Sequence, residues 1–262
     1  MQLLTTGQCC YAIASASGTC PSLRYGHVNT GQLVICNTYL PQKKKTGARN
    51  ENKMRKELKN TINSYNIAAL DYENTITRLD NYNETYNYFC KSIKPNDTIL
   101  DLACGPANIS CNIINQLPNV QITGIDLSEK MIEVAKQKIP SGNFFVNDII
   151  HFKSDKPFDA IILGFALPYL NKIEIEELFK NINHNIVHNG KLYLSFMAGS
   201  KEGFEVPSFN QSVELYIYYH EKTEIQSILD RNQFIIQKEW ELDYIEIDGS
   251  ITKDIVIIAQ KS

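Results

Sequence analysis

The chain has 262 residues, 43% hydrophobic and 21% charged, with a formal net charge of −3 at pH 7. That length suits one α/β domain or a domain with an appendage, and no apolar run reaches the roughly 18 residues that a membrane span needs. Residues 1–53 hold Arg24, Lys43, Lys44, Lys45, Arg49 and Lys53 against Glu51, a net of +5; residues 54–262 therefore carry −8, which argues against broad binding to a phosphate backbone.

Residues 1–53 read as an irregular, poorly ordered extension rich in Thr, Ser, Gly and Cys. Ala14-Ser15-Ala16 is small-x-small, but no Lys or Arg precedes the short apolar stretch, so a secretory signal is not expected. Lys43-Lys44-Lys45 reads as a solvated linker. Met54 is the expected working start, with a helical lid over about 54–95 and a core over 96–262. The seven cysteines, at 9, 10, 20, 36, 90, 104 and 111, show no Cys-x-x-Cys spacing. They read as reduced thiols of a cytoplasmic protein, and no metal site is expected.

Helices are expected over 52–62 and 80–93, separated by Tyr65 to Asp71. Strands follow at 98–102, 120–126, 143–147 and 158–165, the last an apolar run typical of a strand buried on both faces. Between them lie helices at 108–117 and after Ser128, an N-cap candidate with Glu129 in the positive first turn. Helix 172–187 carries Ile175, Leu178, Phe179, Ile182 and Ile186 and closes near Asn189-Gly190; Lys191 to Met197 is the next strand. The tail reads as a strand over 212–219, a helix over 223–231, and strands at 234–240 and 254–259 joined through Asp248-Gly249. The alternation predicts an α/β, mostly parallel sheet with an antiparallel C-terminal hairpin.

Thr98-Ile-Leu-Asp-Leu-Ala-Cys-Gly-Pro-Ala-Asn-Ile-Ser110 is the most informative stretch. A strand ends in Asp101, a small-residue turn follows, and a helix begins near Asn108, which is how an α/β protein brings its backbone close to a nucleotide-like ligand. The turn lacks both the Gly-x-x-x-x-Gly-Lys-[Ser/Thr] that cradles triphosphates and the full Gly-x-Gly-x-x-Gly that admits a pyrophosphate. The acidic strand end suits a cationic or zwitterionic ligand.

Five segments in order resemble the motifs of class I S-adenosylmethionine-dependent methyltransferases, in particular the small-molecule methyltransferase-domain group: Ile99–Ala107, Gly124–Met131, Val146–Ile149, Phe158–Phe165 and Asn189–Leu194. The resemblance covers about 65–262 and implies a Rossmann-like seven-stranded sheet with helices on both faces, S-adenosyl-L-methionine as cofactor, a small-molecule acceptor and neither nucleic-acid nor membrane partners. It implies that Asp126 accepts hydrogen bonds from the ribose, that Asp101 serves the methionine ammonium, and that the backbone of Ala103, Cys104, Gly105 and Pro106 runs along the ligand. Asp148, with the backbone of Asn147 or Ile149, would read adenine between Leu127, Met131 and Ile149; Gly164 and Phe165 would line the path to the sulfonium, and Tyr72 would cap the carboxylate. The family's first motif often reads Gly-x-Gly-x-Gly. Here only Gly105 remains, and since alanine reaches φ > 0 at a cost, Ala103 and Ala107 are expected in ordinary conformations.

Acceptor-side candidates are Tyr169, Tyr218, Tyr219 and His220, the last three at the end of strand 212–219. Helix 80–93, with Tyr82, Tyr86, Tyr88 and Phe89, reads either as a lid over the acceptor or as plain core. Two other functions stay open: a cofactor-binding regulatory protein without turnover, and a nicotinamide-dependent oxidoreductase. Asp101 before the turn, the lone Gly105 and the terminal hairpin disfavour the oxidoreductase.

Overall fold

Along each central strand, alternate side chains leave opposite faces of the sheet, and this period of two organises the whole core. On one face Leu100, Ile161, Leu192 and Ile257 join Ile175, Leu178, Phe179, Ile182, Ile225 and Leu229. On the other, Ile99, Ile162, Tyr193 and Val256 join Phe89, Ile113, Ile132 and Ala135. These assignments come from a computed structural model, which describes residues 54–76, 80–245 and 249–262. The expectations for 1–53, and Asp248 of the expected turn, lie outside the described residues.

The parallel strands β1 (Thr98–Leu102), β2 (Gln121–Asp126), β3 (Asn143–Val146), β4 (Phe158–Gly164) and β5 (Ile186–Ala198) are followed by the antiparallel pair β8 (Phe234–Ile245) and β9 (Ile251–Lys261). The sheet order is β3-β2-β1-β4-β5-β9-β8. Helices α3 (Asn83–Ser92), α4 (Asn108–Gln116) and α5 (Glu129–Lys138) cover one face, and α6 (Lys172–Asn185) and α7 (Lys222–Arg231) the other. Chain order reverses between β1 and β4, and ligands of such sheets bind where the strand ends open at that reversal. The seven-stranded, Rossmann-like sheet with its antiparallel pair is thus as expected.

Several local expectations are corrected. The gap placed at Tyr65–Asp71 is helical: α1 runs Lys56–Ile67 and α2 Ala69–Ile76. Helix 172–187 stops at Asn185, and Ile186 already begins β5. The strand expected over 212–219 shrinks to β7 (Leu215–Tyr218), which leaves the main sheet and pairs with β6 (Glu202–Glu205). The C-terminal strands are longer than their apolar centres, because β8 and β9 remain paired from Phe234↔Lys261 out to Ile245↔Ile251.

A further correction concerns the turn after β1. Ala103 and Ala107 both take left-handed backbone, at φ 55 and 61, beside Gly105 at φ 51. The turn is held by Cys104 N–H donating to Ile125 O at 2.9 Å, Ala107 N–H to Cys104 O at 2.9 Å, and Gly105 N–H to Asp126 Oδ2 at 2.9 Å. These bonds offset a cost of about 1–2 kcal/mol per left-handed alanine. Ala103→Gly is therefore expected to raise stability by about 0.5–1 kcal/mol after its greater unfolded-state entropy is counted. Ala107→Gly should gain less, because the Ala107 methyl is fully buried. Denaturant melts of the two variants check the order.

Candidate active site

The strand ends build a cavity of about 790 Å³, partly open to solvent. Ala103 and Gly105 come from the turn after β1, Asp126 and Leu127 from the end of β2, and Asp148, Ile149 and Ile150 from the loop after β3. Gly164, Phe165 and Ala166 follow β4, and Met131 rises from α5. Helix α1 roofs the cavity with Leu58, Thr61, Ile62 and Tyr65, and Tyr72 of α2 joins it.

Asp126 is the organising carboxylate. Its Oδ2 accepts from Gly105 N–H at 2.9 Å and its Oδ1 from Ser128 N–H at 2.8 Å. Burial pushes its pKa up, and the backbone amides of Ser128, Gly105 and Leu127 pull it back. A carboxylate can accept about four hydrogen bonds, so a ligand's hydroxyls can share these oxygens. Ser128 caps α5 as expected, accepting from Met131 N–H at 3.2 Å. Its hydroxyl also donates to Asn66 Oδ1 at 2.7 Å, tying the roof to the floor.

The other expected residues divide into those on the wall and those behind it. Tyr72, Ala103, Gly105, Asp126, Leu127, Met131, Asp148, Ile149, Gly164, Phe165 and Tyr169 line the cavity; Asp101, Cys104, Pro106 and Asn147 do not. Asp101 is 3% exposed behind the turn, where Ser110 Oγ donates to it at 2.6 Å. Burial pushes its pKa up to about 7, Ser110 pulls it down, and the Asp126 charge adds to the rise. Cys104 packs inward over Gly124, where an added Cβ would come 3.0 Å from its Sγ and 2.4 Å from the Phe144 ring. Asn147 Oδ1 accepts from Asp148 N–H at 2.8 Å, and Asp148 Oδ1 from Ile150 N–H at 2.9 Å, which fixes this loop beside the cavity.

Tyr169 faces the cavity, its hydroxyl bonded to that of Tyr65. Burial pushes its pKa up to about 12, the Tyr65 hydrogen bond opposes this, and Asp126 adds to it, so the phenol stays protonated at neutral pH. Tyr218, Tyr219 and His220 line a different cleft with Gly199, Lys201 and Glu224. His220 Nε2 donates to Leu167 O at 2.9 Å, and burial lowers its pKa. The expectation that these residues border the acceptor rested on a strand in the main sheet, which β7 is not.

Two features of the site had no local sign. Phe165 sits at φ 51, held by its N–H donating to Ser195 O and Oγ, both at 3.1 Å. Backbone of this kind on a bulky residue concentrates at functional sites. Arg55 starts the roof: Nε and Nη2 reach the two oxygens of Glu174 at 3.1 and 2.7 Å, and Nη2 also donates to Tyr169 O at 2.9 Å. The α1 part of the roof was missed although it carries a signal: Leu58, Thr61, Ile62 and Tyr65 stand at i, i+3, i+4 and i+7, the spacing of one helical face.

The cavity fits S-adenosylmethionine on its own terms. A Cβ on Gly105 would project toward Tyr72, with nothing nearer than its Cε1 at 3.9 Å, so the bare backbone leaves space for a ligand. A ribose-competent carboxylate stands next to an apolar slot of Leu127, Met131 and Ile149. Fold and site together are similar to those of class I S-adenosylmethionine-dependent methyltransferase domains. Residues 99–190 match the methyltransferase domain family.

The chain is 25% identical over 162 residues to malonyl-[acyl-carrier protein] O-methyltransferase 1 of Ilyobacter polytropus, covering 61% of this chain and 59% of that one. It is 31% identical over 104 residues to carboxy-S-adenosyl-L-methionine synthase of Campylobacter fetus, covering 38% and 44%. It thus spans about half the length of these curated relatives. A solved S-adenosylmethionine-dependent methyltransferase from Methanosarcina mazei shares the fold at TM-score 0.58 and 20% identity, over 70% of this chain and 99% of that one.

Proposed function

We propose that the protein transfers a methyl group from S-adenosylmethionine to a small-molecule acceptor. The carrying observation is Asp126, at the end of β2, anchored to the Gly105 and Ser128 amides and facing a roofed cavity beside the β1–β4 reversal. Asp126 would hold the ribose, the Ala103–Gly105 turn the methionine portion, and Leu127, Met131 and Ile149 the adenine, with Asp148 at its edge. Asn147, Cys104 and Pro106 would act through the backbone geometry they fix, and Asp101 from behind the turn. The cofactor supplies an activated methyl on a sulfonium, so what remains for the protein is alignment, which is worth effective molarities of about 10⁵ M or more. Gly164 and Phe165 border the approach, and Tyr72, Tyr65 and Tyr169 exclude water from it. Residues 54–262 are the working domain in this reading, with α1 to α3 as its lid. The free thiols of Cys90, Cys104 and Cys111 fit a cytoplasmic location.

Tyr169 remains protonated and His220 lies in another cleft, so neither supplies a base at the approach, which favours one second reading: a cofactor-binding regulator without turnover. The full chain incubated with methyl-labelled S-adenosylmethionine and a small-molecule cell extract separates the two. Label moving into a low-molecular-weight product supports transfer; binding without any labelled product supports the regulator.

A further inference from the structure

A second cavity, about 890 Å³ with its open mouth included, adjoins the first. The two share Tyr65, Tyr72, Phe165 and Tyr169, so whatever fills the second meets the reactive end of the first. Its walls are rings. Tyr65 stacks on Phe209 at 5.8 Å between centroids and 21° between planes; Phe209 meets Tyr72 edge-on at 5.2 Å, and Tyr82 meets Phe165 edge-on at 5.6 Å. Met197, Leu215, Ile217 and Val206 close the remainder, supplied by β5 and the β6–β7 hairpin with its loop.

Charge narrows the occupant further. Among the described residues no Lys, Arg or His lines this cavity, whereas Glu205 and Asp254 do, so an anionic acceptor would meet like charge without a counterion. Neither carboxylate is set up as a lure for a cation. Glu205 Oε1 pairs with Lys201 Nζ at 3.1 Å and its Oε2 accepts from Tyr219 Oη at 3.0 Å, while Asp254 Oδ2 accepts from Tyr82 Oη at 2.5 Å. Most of the remaining hydroxyls are likewise engaged: Tyr65 with Tyr169, Ser208 with Tyr244 at 3.1 Å, and Thr75, which donates to Asp71 O at 3.0 Å.

Resting on the methyltransferase reading, we propose that this second cavity is the acceptor site and that it takes an uncharged, planar aromatic molecule. Rings set edge-on and stacked around a gap favour another ring, which gains the same quadrupolar contacts. An apolar wall whose polar groups are mostly partnered already, with no free cation or carboxylate offered among the described residues, discriminates against charge in either sign, because a buried charge lacking a new partner is costly.

Calorimetry on the full chain tests this, first with S-adenosylhomocysteine alone and then, with that ligand saturating, with 2-naphthol, 2-naphthoate and 2-naphthylmethylammonium. The expected result is 2-naphthol binding at least tenfold more tightly than either charged probe. Val206→Trp, at a half-exposed position lining only the second cavity, should weaken 2-naphthol at least tenfold and leave S-adenosylhomocysteine affinity within threefold. Phe209→Ala should weaken 2-naphthol by a similar factor, and retained S-adenosylhomocysteine binding certifies the fold of both variants. Failure of S-adenosylhomocysteine to bind the unmodified chain overturns the methyltransferase reading itself. Where it binds, a charged probe matching 2-naphthol, no binding of 2-naphthol, or indifference to both substitutions overturns the acceptor assignment.

Discussion

Replacing Asp126 by alanine is expected to weaken S-adenosylhomocysteine binding by about 100-fold or more. A hydrogen bond to a charged group is worth about 1.5–3 kcal/mol, and in the proposed function this carboxylate accepts one from each ribose hydroxyl. It also fixes the turn, since Oδ2 is the partner of Gly105 N–H. Loss of the side chain therefore removes two ligand contacts and loosens the backbone that the ligand lies against. The fold should survive, because burial already disfavours this charge and the freed amides at Gly105 and Ser128 are at the cavity, where water can reach them. Asp126→Asn keeps an acceptor but not the charge, and should fall between alanine and the unmodified protein. Calorimetric titration of the three proteins reads the series; unchanged affinity in Asp126→Ala would remove this residue from the site.

Asp101→Asn is expected to stabilise the domain at pH 8 by up to about 4 kcal/mol. The folded carboxyl titrates near 7, against an ordinary value of 3.8, chiefly because it is buried. Each pKa unit is worth about 1.36 kcal/mol. The sign follows from proton counting: below the unfolded value both states are protonated and the penalty is absent. As pH rises toward 7 the unfolded chain loses its proton while the folded one holds it, so stability falls, and it levels off above. Asparagine has no such dependence and its carbonyl can still accept from Ser110. The advantage should therefore shrink to less than half by pH 5, and urea melts at both pH values measure it. If Asp101 also serves the methionine ammonium, as the family resemblance implies, the same variant binds S-adenosylhomocysteine more weakly while melting higher.

The central sheet was legible because each of its parallel strands is a short apolar run bounded by turn residues, as in Phe158–Gly164, and because Asp101 and Asp126 mark strand ends. The edges were harder. β8 continues through Glu239, Glu241 and Asp243, whose charges mask a strand that pairing with β9 enforces. The alternation through Leu215–Tyr218 announced a strand correctly but not its partner, since alternation specifies which face is buried and not which strand lies alongside.

Within the site, most wall residues from strand ends were found from local pattern, Ile150 and Ala166 excepted; of the roof, Tyr72 was found and the residues supplied by α1 were missed. Tyr65 meets Tyr169 across 104 residues and Arg55 meets Glu174 across 119, and no local rule links such pairs. The left-handed alanines show the converse: intrinsic preference argued against φ > 0 at Ala103 and Ala107, and the hydrogen bonds of the turn overrode it.

Calorimetric titration of the full chain with S-adenosylhomocysteine and, separately, with NADH is the most direct test of a methyl-donor site built on Asp126. Saturable one-site binding of S-adenosylhomocysteine is expected, lost or severely weakened in Asp126→Ala, with no binding of NADH. Binding of NADH without S-adenosylhomocysteine would contradict it.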